Sequence, residues 1–264
     1  MKQQDAQLGV LMPARGGDPF LESALTSLAH QTFSDWRCYL LADGEGGASG
    51  QMAKSILGPT RVVLLPYPIG KRGLAAGLNF GLRHAAEGLI ARWDSDDLSA
   101  PERFELQVEV FNANPDCILV CSSAQEIDER GDVIGTRHLK GDGRSLRRQL
   151  EWFNPVTHSS VMFRSTQIRR LGCYNPVARG CEDYDLWLRT LTAYPDGVQA
   201  LSRPLVSYRK HGNQLTNKSM VGPQLSVVSQ SRSALSNFKS PNPSFARMKL
   251  RDLVWAGWQR FRFP

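Results

Sequence analysis

Along the first half of the chain, short apolar runs alternate with longer segments whose apolar residues recur at three- and four-residue spacing. Leu8-Gly9-Val10-Leu11-Met12, closed by Pro13, reads as a buried first strand, and residues 14–18 form a Gly-rich turn after it. Leu21, Ala24, Leu25 and Leu28 then place a helix within residues 20–31. A second apolar run, residues 37–42, ends at Asp43-Gly44; a third covers residues 61–65, and a helical pattern over 74–86 follows it. Leu89-Ile90-Ala91, then Arg92 and Trp93, reads as a further strand, succeeded by a helix over about 100–112 and a strand over 117–122. Ser99 with Glu102 three positions on fits a capping box, with Pro101 in the first turn. Strands alternating with helices of this length predict a Rossmann-like, mostly parallel α/β sheet flanked by helices.

The second half is more polar. Residues 133–139 read as a strand and 144–152 as a basic helix, before Asn154-Pro155 breaks the pattern. Residues 158–164 read as a strand with polar side chains at its start. Gly180-Cys181-Glu182-Asp183-Tyr184-Asp185 opens a helix running to about 193, with Leu186, Leu188 and Leu191 available to the core. Acids in a first helical turn are favoured by the dipole alone, and Asp185 is spaced to pair with Arg189 at i,i+4. Residues 205–210 form a last strand, and His211-Gly212 follows at once.

Composition narrows the class. At 264 residues, 41% hydrophobic and 22% charged, the chain reads as an ordinary globular protein; it shows no transmembrane-length run, and its first residues lack a signal-peptide core. The five cysteines include no Cys-x-x-Cys pair, and Cys117 and Cys121 share a facing in a strand, so buried thiols in a reducing cytoplasm are expected. The net charge of +7 is unevenly placed: residues 216–264 hold eight Lys/Arg and one acid, leaving 24 of each sign in the first 215. A neutral body disfavours nucleic acid as a partner. The division expected is a body over 1–215, with a nucleotide-binding half to about 125 and an acceptor half after it, then a basic, aromatic-rich helical tail over 216–264. Trp255, Trp258, Phe261 and Phe263 among the tail's Lys/Arg suit either peripheral docking on an anionic membrane face or packing on the body.

The chemistry concentrates at Asp94-Ser95-Asp96-Asp97, three carboxylates at the carboxyl end of a strand, where open α/β sheets bind ligands. Their mutual repulsion requires a cation or hydrogen-bond donors to share the turn; otherwise they form a solvated acidic cap.

Taken in order, several motifs resemble the family 2 inverting glycosyltransferases of the GT-A fold, bacterial exopolysaccharide and lipopolysaccharide members above all. They are Val10-Leu11-Met12-Pro13, Ser27-Leu28-Ala29-His30-Gln31-Thr32-Phe33, Asp43-Gly44, Gly73-Leu74-Ala75-Ala76-Gly77-Leu78-Asn79 and Ile90-Ala91-Arg92-Trp93-Asp94-Ser95-Asp96-Asp97. His158-Ser159-Ser160-Val161-Met162-Phe163-Arg164, Glu182-Asp183-Tyr184-Asp185-Leu186-Trp187-Leu188-Arg189 and Tyr208-Arg209-Lys210-His211 continue the series. The resemblance implies a metal-dependent hexosyl-type transfer from a nucleotide-sugar, with UDP the nucleotide expected, to a glycan or polyprenyl-linked acceptor in surface polysaccharide synthesis. It assigns Asp96 and His211 to a divalent cation (Mn²⁺ or Mg²⁺), Asp94 to ribose or metal, and Asp183 to the general base. It also implies base or phosphate contacts from Pro13, Asp43, Arg72 and Asn79, and acceptor-side or supporting roles for Asp97, His158 and Glu182. Ala42 stands where relatives carry an acid, and Gly16-Gly17 replaces a polar residue. The alternatives are a nucleotidyltransferase, for which residues 14–18 supply only one basic side chain, and a non-catalytic nucleotide-sugar or glycan-binding module.

Overall fold

The computed structural model describes residues 7–42, 47–67, 73–139, 141–212, 214 and 223–237. Asp43 and Arg72 lie outside the described residues, as do the tail aromatics beyond residue 237. Four parallel strands, β1 (Leu8–Ala14), β2 (Trp36–Ala42), β3 (Val62–Pro66) and β4 (Leu89–Arg92), lie in the order β3-β2-β1-β4. Beyond β4 the sheet becomes mixed and continues as β9-β6-β10-β5. β9 (Met162–Arg164) runs antiparallel to both β4 and β6 (Leu119–Ile127), and β10 (Val198–Arg209) runs parallel to β6. β5 (Leu98–Ser99) and β8 (Gly141–Asp142) pair antiparallel with β10, and β7 (Val133–Arg137) forms a hairpin on β6.

Both faces of the central strands are apolar, so alternate residues feed separate layers. Val10 and Met12 of β1 and Cys38 and Leu40 of β2 point to one core, shared with α1 (Leu21–Ala29), α2 (Ala48–Leu57) and α4 (Arg103–Ala113). Leu11, Tyr39 and Leu41 point to the other, which is closed by α3 (Leu74–His84), α5 (Gly143–Leu150), α6 (Ser165–Arg170) and α7 (Glu182–Ala193). The result is a helix–sheet–helix sandwich with parallel strand ends on one edge. α8 (Pro223–Asn237) lies on α7: Val228 is buried in the second core, Ser231 donates to Asp185 Oδ1 at 2.7 Å, and Arg232 Nε donates to Glu151 O at 2.9 Å. Among the described residues no helix is long and apolar enough to cross a membrane. The five thiols are free, and four of them are buried.

Three local expectations are corrected. Pro13 does not close β1; the strand continues to Ala14, with Pro13 registered against Leu41. Ser99 caps no helix: it belongs to β5, its hydroxyl donates to Leu205 O at 3.1 Å, and the Glu102 carboxylate is taken by Arg203. α4 starts at Arg103 instead, and Gln31 serves its open end, accepting from Phe104 N at 3.1 Å while donating to Ala100 O at 2.7 Å. The polar start of the expected strand at 158–164 is a 3₁₀ turn, His158–Ser160, because Ser160 N–H and hydroxyl both bond back to Thr157 O; β9 begins only at Met162.

Candidate active site

β4 delivers its carboxyl end into the acidic turn, and Trp93 N–H holds the exit on β1 through Leu11 O at 3.1 Å. The three acids then part company. Asp97, 1% exposed, turns inward: Oδ1 accepts from Arg209 N–H at 2.9 Å and Oδ2 from the Ser159 hydroxyl. Burial, with the charges of Asp94 and Asp96, pushes its carboxyl well above the ordinary range. Asp97 therefore joins the turn to β10 and to the 3₁₀ turn, with both oxygens engaged by the protein. Asp96 Oδ2 lies 2.9 Å from His211 Nε2, and Asp96 O accepts from Arg209 Nε at 3.0 Å. Burial first and the Asp94 charge second raise the Asp96 carboxyl, while His211 opposes the shift. Asp94, part-exposed, is paired through Oδ1 with Arg92.

Residues far away in sequence hold this corner in shape. Asp18 accepts from Phe20 N–H at 3.0 Å through one oxygen and from the Ser95 hydroxyl through the other. The Phe20 ring lies 5.1 Å from the His211 ring, centre to centre, and carries the Arg209 guanidinium at 4.5 Å. Arg209 thus bonds the acidic turn, stacks beside the histidine and reaches Asp128 O at 3.0 Å in the β6–β7 turn.

On the facing side, α7 opens with Glu182 and Asp183. Glu182 is buried and accepts from Gly180 N–H at 2.6 Å. Asp183 accepts from Asn154 Nδ2 at 2.8 Å and from Tyr184 N–H at 2.7 Å. Burial, reinforced by the Glu182 charge, pushes the Asp183 carboxyl up to about 7. Asp185 pairs with Arg189 as its spacing predicts, at 2.7 Å, and is turned into the helix packing. His158 Nε2 lies 3.0 Å from the Tyr174 hydroxyl, with its ring edge-on to Trp187 at 5.8 Å; burial, aided by Arg92, holds the imidazole well below its usual range and therefore neutral. Tyr174 is in turn clamped by Asn79, which donates to Tyr174 O at 2.7 Å and accepts from Tyr174 N–H at 2.9 Å. Both ends of the Asn79 amide are used there.

The two sides meet electrostatically. The Asp94 charge acts on Glu182, and Tyr174 feels Arg92, Asp183, Glu182 and Asp94 together. Asp94, Asp96, Glu182, Asp183, His158 and His211 therefore belong to one constellation at the carboxyl edge of the sheet. Asp18, Phe20, Asn154 and Arg209 are given no site role by the sequence, since no local spacing links them to residues about 30 to 190 positions away. A separate groove of about 460 Å³ between α4 and β10 shares no residue with this constellation.

Chemically, the corner offers one carboxylate oxygen and one imidazole nitrogen side by side, while the facing side offers a carboxyl poised to accept a proton near neutrality. Among the described residues no group of three or more His, Cys, Asp or Glu side chains forms a closed metal cage. An oxygen-rich ligand such as a diphosphate would have to complete any cation's coordination.

With that geometry established, comparison with known proteins gives a consistent result. The family model described as glycosyl transferase family 2 matches residues 9–171. The chain is 32% identical over 222 residues to the O-antigen biosynthesis glycosyltransferase WbnJ of Escherichia coli, covering 80% of this chain and 82% of that one. It is 29% identical over 175 residues to the Escherichia coli UDP-Gal:alpha-D-GlcNAc-diphosphoundecaprenol beta-1,3-galactosyltransferase, covering 65% and 62%. Its fold is similar to that of S. aureus TarS 1-349, solved in complex with UDP-GlcNAc, with a TM-score of 0.72 at 14% identity, covering 97% of this chain and 73% of that one. By fold, site and sequence, the chain belongs to glycosyl transferase family 2 and is a glycosyltransferase.

Proposed function

We propose that the protein transfers a sugar, with inversion, from a UDP-sugar to a glycan or polyprenyl-diphosphate-linked acceptor during assembly of a bacterial surface polysaccharide. The observation that carries this reading is Asp183. It is a carboxyl held by Asn154 in the first turn of α7, raised to about 7, and in electrostatic contact through Glu182 and Tyr174 with the Asp94 corner. A base of that affinity takes the acceptor hydroxyl proton as the new bond forms, without a covalent sugar–enzyme intermediate. The relatives' names supply the substrate class: one acts in O-antigen biosynthesis, another takes UDP-Gal to a diphosphoundecaprenol-linked sugar.

Asp96 and His211 fit a divalent cation, because their donor atoms already lie 2.9 Å apart and because burial, then the Asp94 charge, raises the Asp96 carboxyl, a cost that a cation would offset. When bound, Mn²⁺ or Mg²⁺ would offset charge on the departing diphosphate. Asp94 would orient the nucleotide, with Pro13, Asp43 and Arg72 on the base and phosphate side. His158 and Glu182 would shape the acceptor side, and Asp97 and Asn79 would support the site through the contacts described above.

The test is a panel of nucleotide-sugars with Mn²⁺ or Mg²⁺, scored for release of free nucleotide on addition of lipid-linked or soluble glycan acceptors. UDP release from at least one UDP-sugar, suppressed by chelator, is expected. Release of pyrophosphate from a nucleoside triphosphate instead would overturn the reading.

A further inference from the structure

We propose that Arg92 is a positioning residue: it fixes one oxygen of Asp94 from beneath, so that the other oxygen is presented to the nucleotide of the donor. The inference rests on the reading of Asp94 as a nucleotide contact.

Arginine is an unusual occupant of a central strand, since its charge survives burial and must be compensated there. Arg92 is 1% exposed and is registered opposite Leu11 of β1. Strand alternation puts it on the same face as Ile90, and therefore on the side of the sheet covered by α7. One guanidinium nitrogen, Nη2, is paired with Asp94 Oδ1; the other, Nη1, donates to the Trp93 carbonyl. Nε is buried with no hydrogen-bond partner among the described residues. A methionine would fill such a place without a buried orphan donor, so packing alone does not account for an arginine here. What the guanidinium does achieve is geometric: its fork spans the peptide of Trp93 and the carboxylate two residues on, which holds the Asp94 side chain to one rotamer.

The support beneath it is equally specific. Arg103, also 1% exposed, donates from Nη2 to Arg92 O at 3.0 Å and to Val161 O at 3.3 Å, and its guanidinium lies 5.3 Å from the Trp93 ring centre. Gln107 steadies it, accepting from Arg103 Nε at 3.1 Å. The last residue of β4 is thereby held at its backbone by one arginine while its own side chain holds Asp94. The Arg92 charge is also felt at His158, Tyr174 and Glu182, so the same group stands between the two sides of the site.

The decisive measurement is a double-mutant cycle on UDP binding, followed by calorimetry in the presence of Mn²⁺, with Arg92→Met, Asp94→Asn and the double variant. Arg92→Met is expected to weaken UDP binding about tenfold or more in the wild-type background and no more than about threefold in the Asp94→Asn background, because its target is then already lost. Arg92→Lys, which keeps the charge but not the fork, should recover part of the affinity. Equal losses in both backgrounds, or unchanged UDP affinity in a folded Arg92→Met protein, would overturn the role of Arg92 alone. If Asp94→Asn itself binds UDP normally, the nucleotide role of Asp94 fails and the inference fails with it. Should Arg92→Met not fold, the comparison of Arg92→Lys in the two backgrounds decides by the same criterion.

Discussion

Asp183 is the residue whose environment has the clearest consequence in solution. Its carboxyl is raised to about 7 by burial and by Glu182, so the base form grows in as pH rises. Transfer rate at saturating substrate should therefore increase about tenfold per pH unit below 7 and level off above it. Stability runs the opposite way. The folded state holds this proton more tightly than the unfolded chain, so the stability linked to it is complete below about pH 4 and is lost as pH climbs to about 7. Asp183→Asn should remove that loss, gaining on the order of 2 kcal/mol at pH 8 in denaturant unfolding, while UDP binding stays intact and transfer falls at least about 10²-fold. Phe20 gives a second forecast. Phe20→Leu removes the ring between His211 and Arg209, and the Mn²⁺ concentration for half-maximal UDP binding should rise about threefold to tenfold with little change in melting temperature. Some of these residues were legible beforehand: the acids stand contiguous after an apolar run, and Asp185 is four positions before Arg189. Arg92 reads in the sequence only as part of a strand that runs on to Trp93, because nothing local announces that a charged side chain will be buried. Asp18 was invisible as a partner, since Ser95 reaches it from 77 positions away.

Among elements, the parallel strands and most helices follow from periodicity, and at the expected helix cap a tertiary partner overrode a local signal. Ser99 and Glu102 had the spacing of a cap, but β10 and Arg203 claimed them, and the open end of α4 was left to Gln31. Gln31→Ala should accordingly cost about 1–2 kcal/mol in denaturant unfolding, from one lost cap that leaves the buried Phe104 N–H without the Gln31 oxygen. α2 was not anticipated because Gly50 weakens its pattern. A Cβ there would come within 2.8 Å of Leu64 Cδ1, so the glycine permits the close approach of α2 to β3. β10 proved twelve residues long rather than six; its first seven residues are mostly part-exposed and end in Arg203-Pro204, which disguises them as a loop.

For the whole molecule, the charge ledger of the acidic turn was expected to require an outside cation or local donors. Partners are built in for each carboxylate: Arg92 for Asp94, the Ser159 hydroxyl and the Arg209 N–H for Asp97, and the His211 ring nitrogen for Asp96. Chelator should therefore shift the melting temperature by less than about 2 °C while weakening UDP binding, unlike a protein whose metal is part of its fold. The basic excess is sequestered beyond the body in sequence, yet α8 from that same stretch is packed on α7. A chain ending at residue 222 would lose Val228 from the core and Arg232 from the Glu151 carbonyl. It should be less stable than the full chain by about 2–4 kcal/mol, measured by denaturant midpoint.

The stretch recognised by the family model stops at residue 171, before α7 and before the far end of β10. An excised piece ending there would retain all three acids of the turn but forfeit Asp183 and His211. It would also leave Asp97 without the amide of Arg209 and β6 without its parallel neighbour. Grafting between relatives at that border would thus part the acidic turn from its own partners, and a workable crossover has to carry β10 through His211 along with whichever turn it is meant to serve.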